Sequence, residues 1–251
     1  MSETSPSAER KPASAKQLLK PRDAATLIIV DSSSSEPRIL FGKRRLDQKF
    51  MPGKYVFPGG RVDTCDRFAT ATDDLTSLDT EKLLVGMKGR VSQTRARALA
   101  LAAIRETFEE AGLLIGEKVG ADAALASLTS AGTRAGTWRD FLGHGVQPSL
   151  GQMKFFARAI TPPGRPRRYD TRFFCIEASA IVHRIDNSDG ELVELHWLSL
   201  DEARQGFDLP PITRVILEDL ADRLSDGRLR QDDRPIPFYH HKNGIFRRDV
   251  L

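Results

Sequence analysis

The sequence predicts a domain of the α/β class, because short apolar segments alternate with longer helical patterns. Strand-like segments occur at residues 24–30, 38–42, 150–160, 172–178 and 192–198. A long helical pattern covers residues 92–111, and a second amphipathic helix is predicted from Pro210 to about Leu224. Because apolar strands need helices to cover their faces, this order of elements predicts a sheet packed against helices.

Bulk composition limits the classes of function. The chain has 251 residues, of which 40% are hydrophobic and 29% are charged, enough for one substantial globular domain. No apolar run approaches the ~20 residues of a membrane span, so no membrane partner is expected. The net charge of +4 suits an anionic substrate. Alone it does not indicate nucleic acid, which is not an expected partner.

The chain is predicted to contain one domain between two tails. Residues 1–22 are expected to form a disordered tail, because the segment is rich in Ser, Ala, Lys and Pro. The domain itself is predicted to span residues 23–224, and residues 225–251 form a C-terminal tail that packs on or beside it. Cys65 and Cys175 imply no disulfide framework, which favours a reducing compartment and a cytoplasmic location.

The most informative stretch of the sequence is residues 105–112 (RETFEEAG), at the end of the long helical pattern. Residues three and four apart share one face of a helix, so Glu106, Glu109 and Glu110 are expected to project together. Arg105 precedes Glu109 by four residues and is expected to pair with it. Gly112 follows where a left-handed residue is needed to end the helix.

Three carboxylates on one helical turn repel one another unless water or a cation neutralises them. Hard divalent ions prefer oxygen ligands, so Mg²⁺ or Mn²⁺ is the expected cofactor. The alternative interpretation is a solvated acidic helix face without a ligand.

A second motif shifts the balance towards a metal site. Residues 57–60 (FPGG) followed by residues 105–112 resemble the Nudix box, G-x5-E-x7-R-E-U-x-E-E-x-G-U, where U is a bulky apolar residue. The resemblance covers most of residues 23–205. It implies an α/β/α sandwich with a mixed sheet, the box helix on one side and C-terminal helices on the other. It also implies metal-dependent cleavage of nucleoside diphosphates linked to another moiety.

The chain departs from the box in its spacing. Gly60 and Arg105 lie 45 positions apart where the box has 14, so 31 residues are inserted. The first Glu of the box falls on Arg97 when counted back from Arg105, and on Asp66 when counted forward from Gly60. That Glu is therefore missing or displaced.

Residues 61–91 are assigned to the insertion, between the two halves of the box. A short helix is expected near residues 78–85, and the insertion could act as a lid, a specificity element or a dimer contact. Together with residues 50–53 (FMPG), this insertion resembles the peroxisomal-type CoA diphosphatase branch of the Nudix enzymes.

The resemblance assigns roles to the acidic cluster. Glu109 and Glu110 correspond to the principal metal ligands, and Glu106 to a further ligand or a residue that positions water. A main-chain carbonyl near Gly60 is implied as another ligand, and Arg105 has a structural role. The general base stays open between Glu106, Glu191 and a residue of the insertion, with Glu194 as the rival of Glu191.

Basic residues on two loops are candidate phosphate contacts. Arg44 and Lys49 precede the FPGG segment and partly match an upstream signature of CoA-cleaving Nudix enzymes. Arg168 and Arg172 could hold phosphates through forked donors, and Tyr169 could stack on a base. The alternative for both loops is an ordinary solvated basic surface.

The branch resemblance makes CoA or acyl-CoA the first expected substrate. ADP-ribose, NADH, FAD or another nucleoside diphosphate derivative forms the second candidate group, and capped RNA the third. A non-catalytic Nudix domain that senses a ligand or serves as a scaffold is the alternative from another class. A homodimer also stays open.

Overall fold

The computed structural model describes residues 19–48, 51–128, 136–186, 190–225 and 233–251. Most of the predicted N-terminal tail, as well as Lys49 and Phe50, therefore lies outside the described residues. None of the described helices combines the length and the apolar character that a membrane crossing requires.

The described elements follow the predicted alternation of strands and helices. The strands are β1 (Arg22–Asp31), β2 (Arg38–Arg44), β3 (Tyr55–Val56), β4 (Gly59–Arg61), β5 (Leu113–Ile115), β6 (Glu117–Lys118), β7 (Val146–Gln147), β8 (Lys154–Ile160), β9 (Tyr169–Glu177), β10 (Ile181–Arg184), β11 (Leu192–Leu198), β12 (Pro237–Lys242) and β13 (Ile245–Val250). The helices are α1 (Ser77–Leu84), α2 (Gln93–Ala111), α3 (Ala121–Ala126), α4 (Gly136–Gly143), α5 (Leu200–Gly206) and α6 (Pro211–Ser225).

A mixed sheet forms the centre of the domain. Its strand order is β11-β2-β1-β9-β8-β12-β13, with β3 attached to β2 and β4 attached to β1. Strand β1 pairs parallel with β9 and antiparallel with β2 and β4. The short strand β4 thus carries the FPGG glycines onto the central strand, where Gly60 lies opposite Ala25.

Helices cover both faces of this sheet. Successive side chains of a strand point to opposite faces, and β1 shows this directly. Leu27 and Ile29 pack in a core with α2, whereas Ile28 and Val30 pack in a second core with α6. The α/β/α sandwich that the resemblance implied is therefore present.

Local signals fix the box helix where the sequence predicts it. The Ser92 hydroxyl accepts a hydrogen bond from the backbone N–H of Arg95 and caps the N-terminus of α2. Gly112 ends the helix in the left-handed conformation, with φ of 68°. Both boundaries of the predicted helix are confirmed.

The C-terminal segment, which is expected to pack on or beside the domain, contains two strands that the sequence does not predict. Residues 237–250 form the hairpin β12–β13, and β12 extends the sheet by pairing parallel with β8. Tyr239 of β12 is 1% exposed and packs in the core beneath α6. This pairing partner lies far away in the sequence, which explains why local patterns did not predict the strands.

The inserted segment packs as part of the core. Helix α1 confirms the short helix expected near residues 78–85, and Leu83 and Met87 are buried in the same cluster as α2. The Asp79 carboxylate accepts a hydrogen bond of 2.9 Å from the backbone N–H of Phe155 in β8. Asp73 accepts one of 2.5 Å from the backbone N–H of Leu150. The insertion is therefore bonded to β8 and to the segment that precedes β8.

This packing predicts a large stability difference between two leucines of α1. Leu83 is 1% exposed, so Leu83→Ala should lower the free energy of unfolding by about 2–5 kcal/mol through lost burial and a cavity. Leu78 is 37% exposed, so Leu78→Ala should change it by less than about 1 kcal/mol. Urea unfolding of both variants measures this contrast. Equal, small effects would mean that α1 does not pack on the core.

Candidate active site

The C-terminal turns of α2 bring two carboxylates against the glycines of β4. The backbone N–H of Gly59 donates a 2.8 Å hydrogen bond to Oε2 of Glu110. A Cβ atom on Gly60 would lie 2.5 Å from the carboxylate of Glu106. The carboxylate of Glu106 thus occupies the space that any side chain at position 60 would need.

Gly59 is required by the strand beside it. Its φ is 157°, and an added Cβ would lie 2.5 Å from the carbonyl oxygen of Ala25 in β1. A side chain here would separate β4 from β1, so glycine is the residue that allows this close approach.

Arg105 is the centre of the acidic face. Its guanidinium is buried, and Nε and Nη2 donate to the two oxygens of Asp66 at 2.7 and 3.1 Å. Nη1 donates to Oε2 of Glu109 at 2.7 Å, which confirms the predicted pair, and Nη2 lies 3.0 Å from Oε1 of Glu106. Burial opposes this charge, but the hydrogen bonds to Asp66 raise the pKa of Arg105 above its ordinary value.

The position of Asp66 shows where the inserted residues enter the box. It is 0% exposed and also accepts a 3.0 Å hydrogen bond from the indole N–H of Trp138. Counted forward from Gly60, Asp66 stands at the position of the first acidic residue of the box. The spacing from Gly60 to this acid is therefore kept, and the extra residues enter after Asp66 rather than directly after Gly60.

Two of the clustered carboxylates are held away from water. Burial raises the pKa of Glu110 to about 8, and Glu106 and Glu191 act in the same direction. Burial also raises the pKa of Glu106 to about 7, with a further contribution from Glu109. Glu110 is buried, and only 15% of the Glu106 side chain is exposed, which argues against the interpretation as a solvated acidic helix face.

Arg44 connects the acidic cluster to β11. Its Nη1 lies 3.5 Å from Oε1 of Glu110, and its Nη2 donates to Oε2 of Glu191 at 2.8 Å. The predicted residues Arg44, Glu110 and Glu191 are thus brought together. Glu194 instead pairs with Lys43 at 2.9 Å, on the neighbouring residue of β2, whose side chain points to the other face of the sheet.

The second basic loop has other contacts. Arg168 donates to the backbone carbonyls of Thr161 at 3.1 Å and Leu19 at 2.6 Å. Tyr169 is half-buried at the start of β9, and its backbone N–H donates to the hydroxyl of Thr161. These contacts position the loop, and the roles of Arg168 and Tyr169 in substrate binding stay predictions.

Arg172 lies inside the protein rather than on a basic surface. Its side chain is 1% exposed, and Nη1 donates to the Asp170 carbonyl at 2.9 Å and to the Asp23 carboxylate at 3.3 Å. Burial lowers the pKa of Arg172, although Asp170 acts in the opposite direction. Asp170 is also held by Arg158 through two hydrogen bonds of 2.8 and 2.7 Å. This geometry supports an internal ion-pair network, so contact between Arg172 and a phosphate stays only a prediction.

The carboxylates of Glu106, Glu109 and Glu110 offer the oxygen ligands that a hard cation prefers, although these side chains also have protein partners. Among the residues that the structure describes, no group of three or more Asp, Glu, His or Cys side chains converges on one point. Glu109 is engaged by Arg105, and Glu110 faces Arg44. The carboxylates of Glu106 and Glu110 nevertheless line the glycines of β4, and burial, with a smaller contribution from neighbouring carboxylates, raises the pKa values of both.

Because the Asp66–Arg105 pair is buried, its loss should lower the free energy of unfolding more than the loss of a surface ion pair does. Asp66→Asn leaves a buried guanidinium poorly compensated and should lower the free energy of unfolding by about 3–5 kcal/mol. Asp74 is 72% exposed and pairs with Arg97, so Asp74→Asn should cost about 1 kcal/mol or less. Thermal and urea unfolding of both variants provide the measurement. A cost at Asp66 no larger than at Asp74 contradicts the central role of the pair.

Comparisons with known proteins extend the motif resemblance to the whole domain. No family model matches the chain. A Caenorhabditis elegans protein named as a nudix hydrolase is 29% identical over 201 residues, covering 76% of this chain and 57% of that protein. The Gallus gallus protein named acyl-coenzyme A diphosphatase NUDT19 is 27% identical over 218 residues, covering 67% of this chain and 56% of that protein. The chain thus spans a little over half the length of these curated relatives.

The fold agrees with a solved structure of similar sequence. The crystal structure of a NUDIX hydrolase from Alicyclobacillus acidocaldarius matches with a TM-score of 0.55 and 25% identity, covering 79% of this chain and 90% of that chain. In sequence and in fold, the chain is therefore similar to Nudix hydrolases.

Proposed function

We propose that this chain hydrolyses the pyrophosphate linkage of a nucleoside diphosphate derivative, with help from Mg²⁺ or Mn²⁺. The observation that carries the proposal is the packing of the Glu106 and Glu110 carboxylates against the glycines of β4, beside Glu109 and two arginines. Such an arrangement concentrates negative charge that a divalent cation can neutralise.

Glu106, Glu109 and Glu110 would hold the cation, with the main-chain carbonyl of Gly60 as a further oxygen ligand. When bound, the metal would neutralise the diphosphate, stabilise charge in the transition state and activate the attacking water. Arg105 has a positioning role, because its bonds to Asp66 fix it while it orients Glu106 and Glu109.

The reaction needs one base and one water molecule. Water attacks one phosphorus atom, the bridging P–O bond breaks, and the products are two phosphate monoesters with release of protons. Glu106 and Glu191 are both candidates for the residue that accepts the proton of the water. Glu191 is connected to the cluster through Arg44, which favours it over Glu194 on the other face of the sheet.

CoA or acyl-CoA is the substrate that we place first. The motif resemblance to the CoA diphosphatase branch and the similarity to proteins named acyl-coenzyme A diphosphatase support it. Cleavage of CoA would yield a phosphopantetheine and adenosine 3′,5′-bisphosphate. ADP-ribose, NADH, FAD or a related compound is the second candidate group. A non-catalytic ligand sensor, a cytoplasmic location and a homodimer stay predictions.

A product assay distinguishes these substrates. Purified protein is incubated with Mg²⁺ or Mn²⁺ and with CoA, an acyl-CoA, ADP-ribose, NADH or FAD, and the products are separated by chromatography. We expect adenosine 3′,5′-bisphosphate from CoA at the highest rate. AMP from ADP-ribose or NADH would keep the reaction type and replace the substrate. Absence of turnover by folded protein with either metal would favour the sensor.

The metal assignment predicts the effect of one isosteric substitution. Glu109→Gln removes a charged ligand but keeps the shape of the side chain, so turnover should fall by about 10³-fold or more while the protein stays folded. Glu81→Gln, on the exposed face of α1, is the control and should leave turnover unchanged. Steady-state rates and circular dichroism test both variants. Near-normal turnover of Glu109→Gln would refute the assignment.

A further inference from the structure

We propose that Arg44 is an exchangeable counter-ion of the site, which leaves the acidic cluster when a divalent cation binds and then contacts the substrate diphosphate. This inference rests on the proposed function and assigns one residue two successive partners. It also explains why a cation-binding cluster can exist in the metal-free protein, because a guanidinium partly neutralises Glu110.

The position of Arg44 suits such an exchange. Its side chain is 13% exposed and that of Glu110 is 5% exposed, so the charges interact away from bulk water. The second contact of Arg44, at 2.8 Å, is to Glu191, whose side chain is 52% exposed. A third, at 3.2 Å, is to Oε1 of Gln48. Arg44 thus stands between the buried cluster and the solvent side of the site.

Arg105 provides the contrast within the same site. Two of its contacts are to Asp66, which is 0% exposed, and a third, of 2.8 Å, is to the backbone carbonyl of Arg61 in β4. The shortest side-chain contact described for Arg44, at 2.8 Å, is to the exposed carboxylate of Glu191. Of the two arginines at the acidic cluster, Arg44 is therefore the one that can change its contacts without disrupting the core.

Electrostatic repulsion favours the departure of Arg44 from Glu110 when a cation binds. A divalent cation on Glu110 repels a guanidinium that lies 3.5 Å from the same carboxylate. Glu110 itself stays in place, because the backbone N–H of Gly59 holds its other oxygen. The displaced guanidinium has the forked geometry that binds phosphate oxygens, and a diphosphate at the site would supply them.

Metal binding without substrate tests the first half of the proposal. Mn²⁺ is titrated into metal-free wild-type protein and the Arg44→Gln variant, with free Mn²⁺ followed by electron paramagnetic resonance. Removing the competing charge should tighten Mn²⁺ binding by about fivefold or more. Arg45→Gln is the control, because Arg45 follows Arg44 directly but pairs with the exposed Asp47. It should bind Mn²⁺ as wild type does.

Diphosphate binding tests the second half. The probe is α,β-methylene-ADP, which cannot be hydrolysed at the bridge, titrated calorimetrically at saturating Mn²⁺. Arg44→Gln should weaken its binding by about tenfold, and Arg44→Lys, which keeps the charge but loses the fork, should weaken it less. The Arg44→Gln variant should thus bind Mn²⁺ more tightly and α,β-methylene-ADP more weakly than wild-type protein does.

The proposal is overturned if either the change in Mn²⁺ binding or the change in diphosphate binding is absent. Unchanged or weaker Mn²⁺ binding by Arg44→Gln shows that Arg44 does not compete with the cation. Unchanged binding of α,β-methylene-ADP shows that Arg44 does not reach the diphosphate. If Arg44→Gln does not fold, Arg44→Lys must still weaken the probe. Failure of wild-type protein to bind Mn²⁺ would remove the proposed function as well, whereas Mn²⁺ binding with no difference between variants removes only the exchange.

Discussion

The candidate site depends on the burial of one guanidinium, that of Arg105. An isolated charge in this position would be strongly unfavourable, and Asp66 compensates it with two hydrogen bonds while Trp138 holds the same carboxylate. Once fixed, the guanidinium can orient Glu106 and Glu109 on the acidic face of α2. The carboxylates proposed to act in the site are therefore arranged by a structural ion pair next to them.

The Asp66–Arg105 ion pair joins the two parts of the box that the insertion separates in the sequence. The chain leaves the box after Asp66, packs Leu83 and Met87 into the core, and returns to the box in α2. Because Asp66 and Arg105 meet in space, the separation of 39 positions between them does not change the local geometry. A long insertion is tolerated at this point because its ends lie close together and its residues are anchored to the sheet.

Prediction from sequence succeeded where the signals are local. The spacing of Glu106, Glu109 and Glu110, the cap at Ser92 and the left-handed Gly112 all act within a few residues, so α2 was predicted with its boundaries. The strands β12 and β13 were not predicted, because pairing with β8 forms them. The burial of Arg172 was also not predicted, because its partner Asp23 lies 149 positions away. Counting forward from Gly60 gave Asp66, but no local pattern pointed to Trp138.

We propose that the acidic face of α2 holds a catalytic cation beside β4. The most direct measurement is anomalous diffraction from crystals of the protein grown or soaked with Mn²⁺. We expect a manganese peak within bonding distance of the carboxylates of Glu106, Glu109 and Glu110 and the carbonyl of Gly60. A peak elsewhere contradicts a cation site on α2. So does the absence of any peak at saturating Mn²⁺, with Glu109 and Glu110 still paired to Arg105 and Arg44.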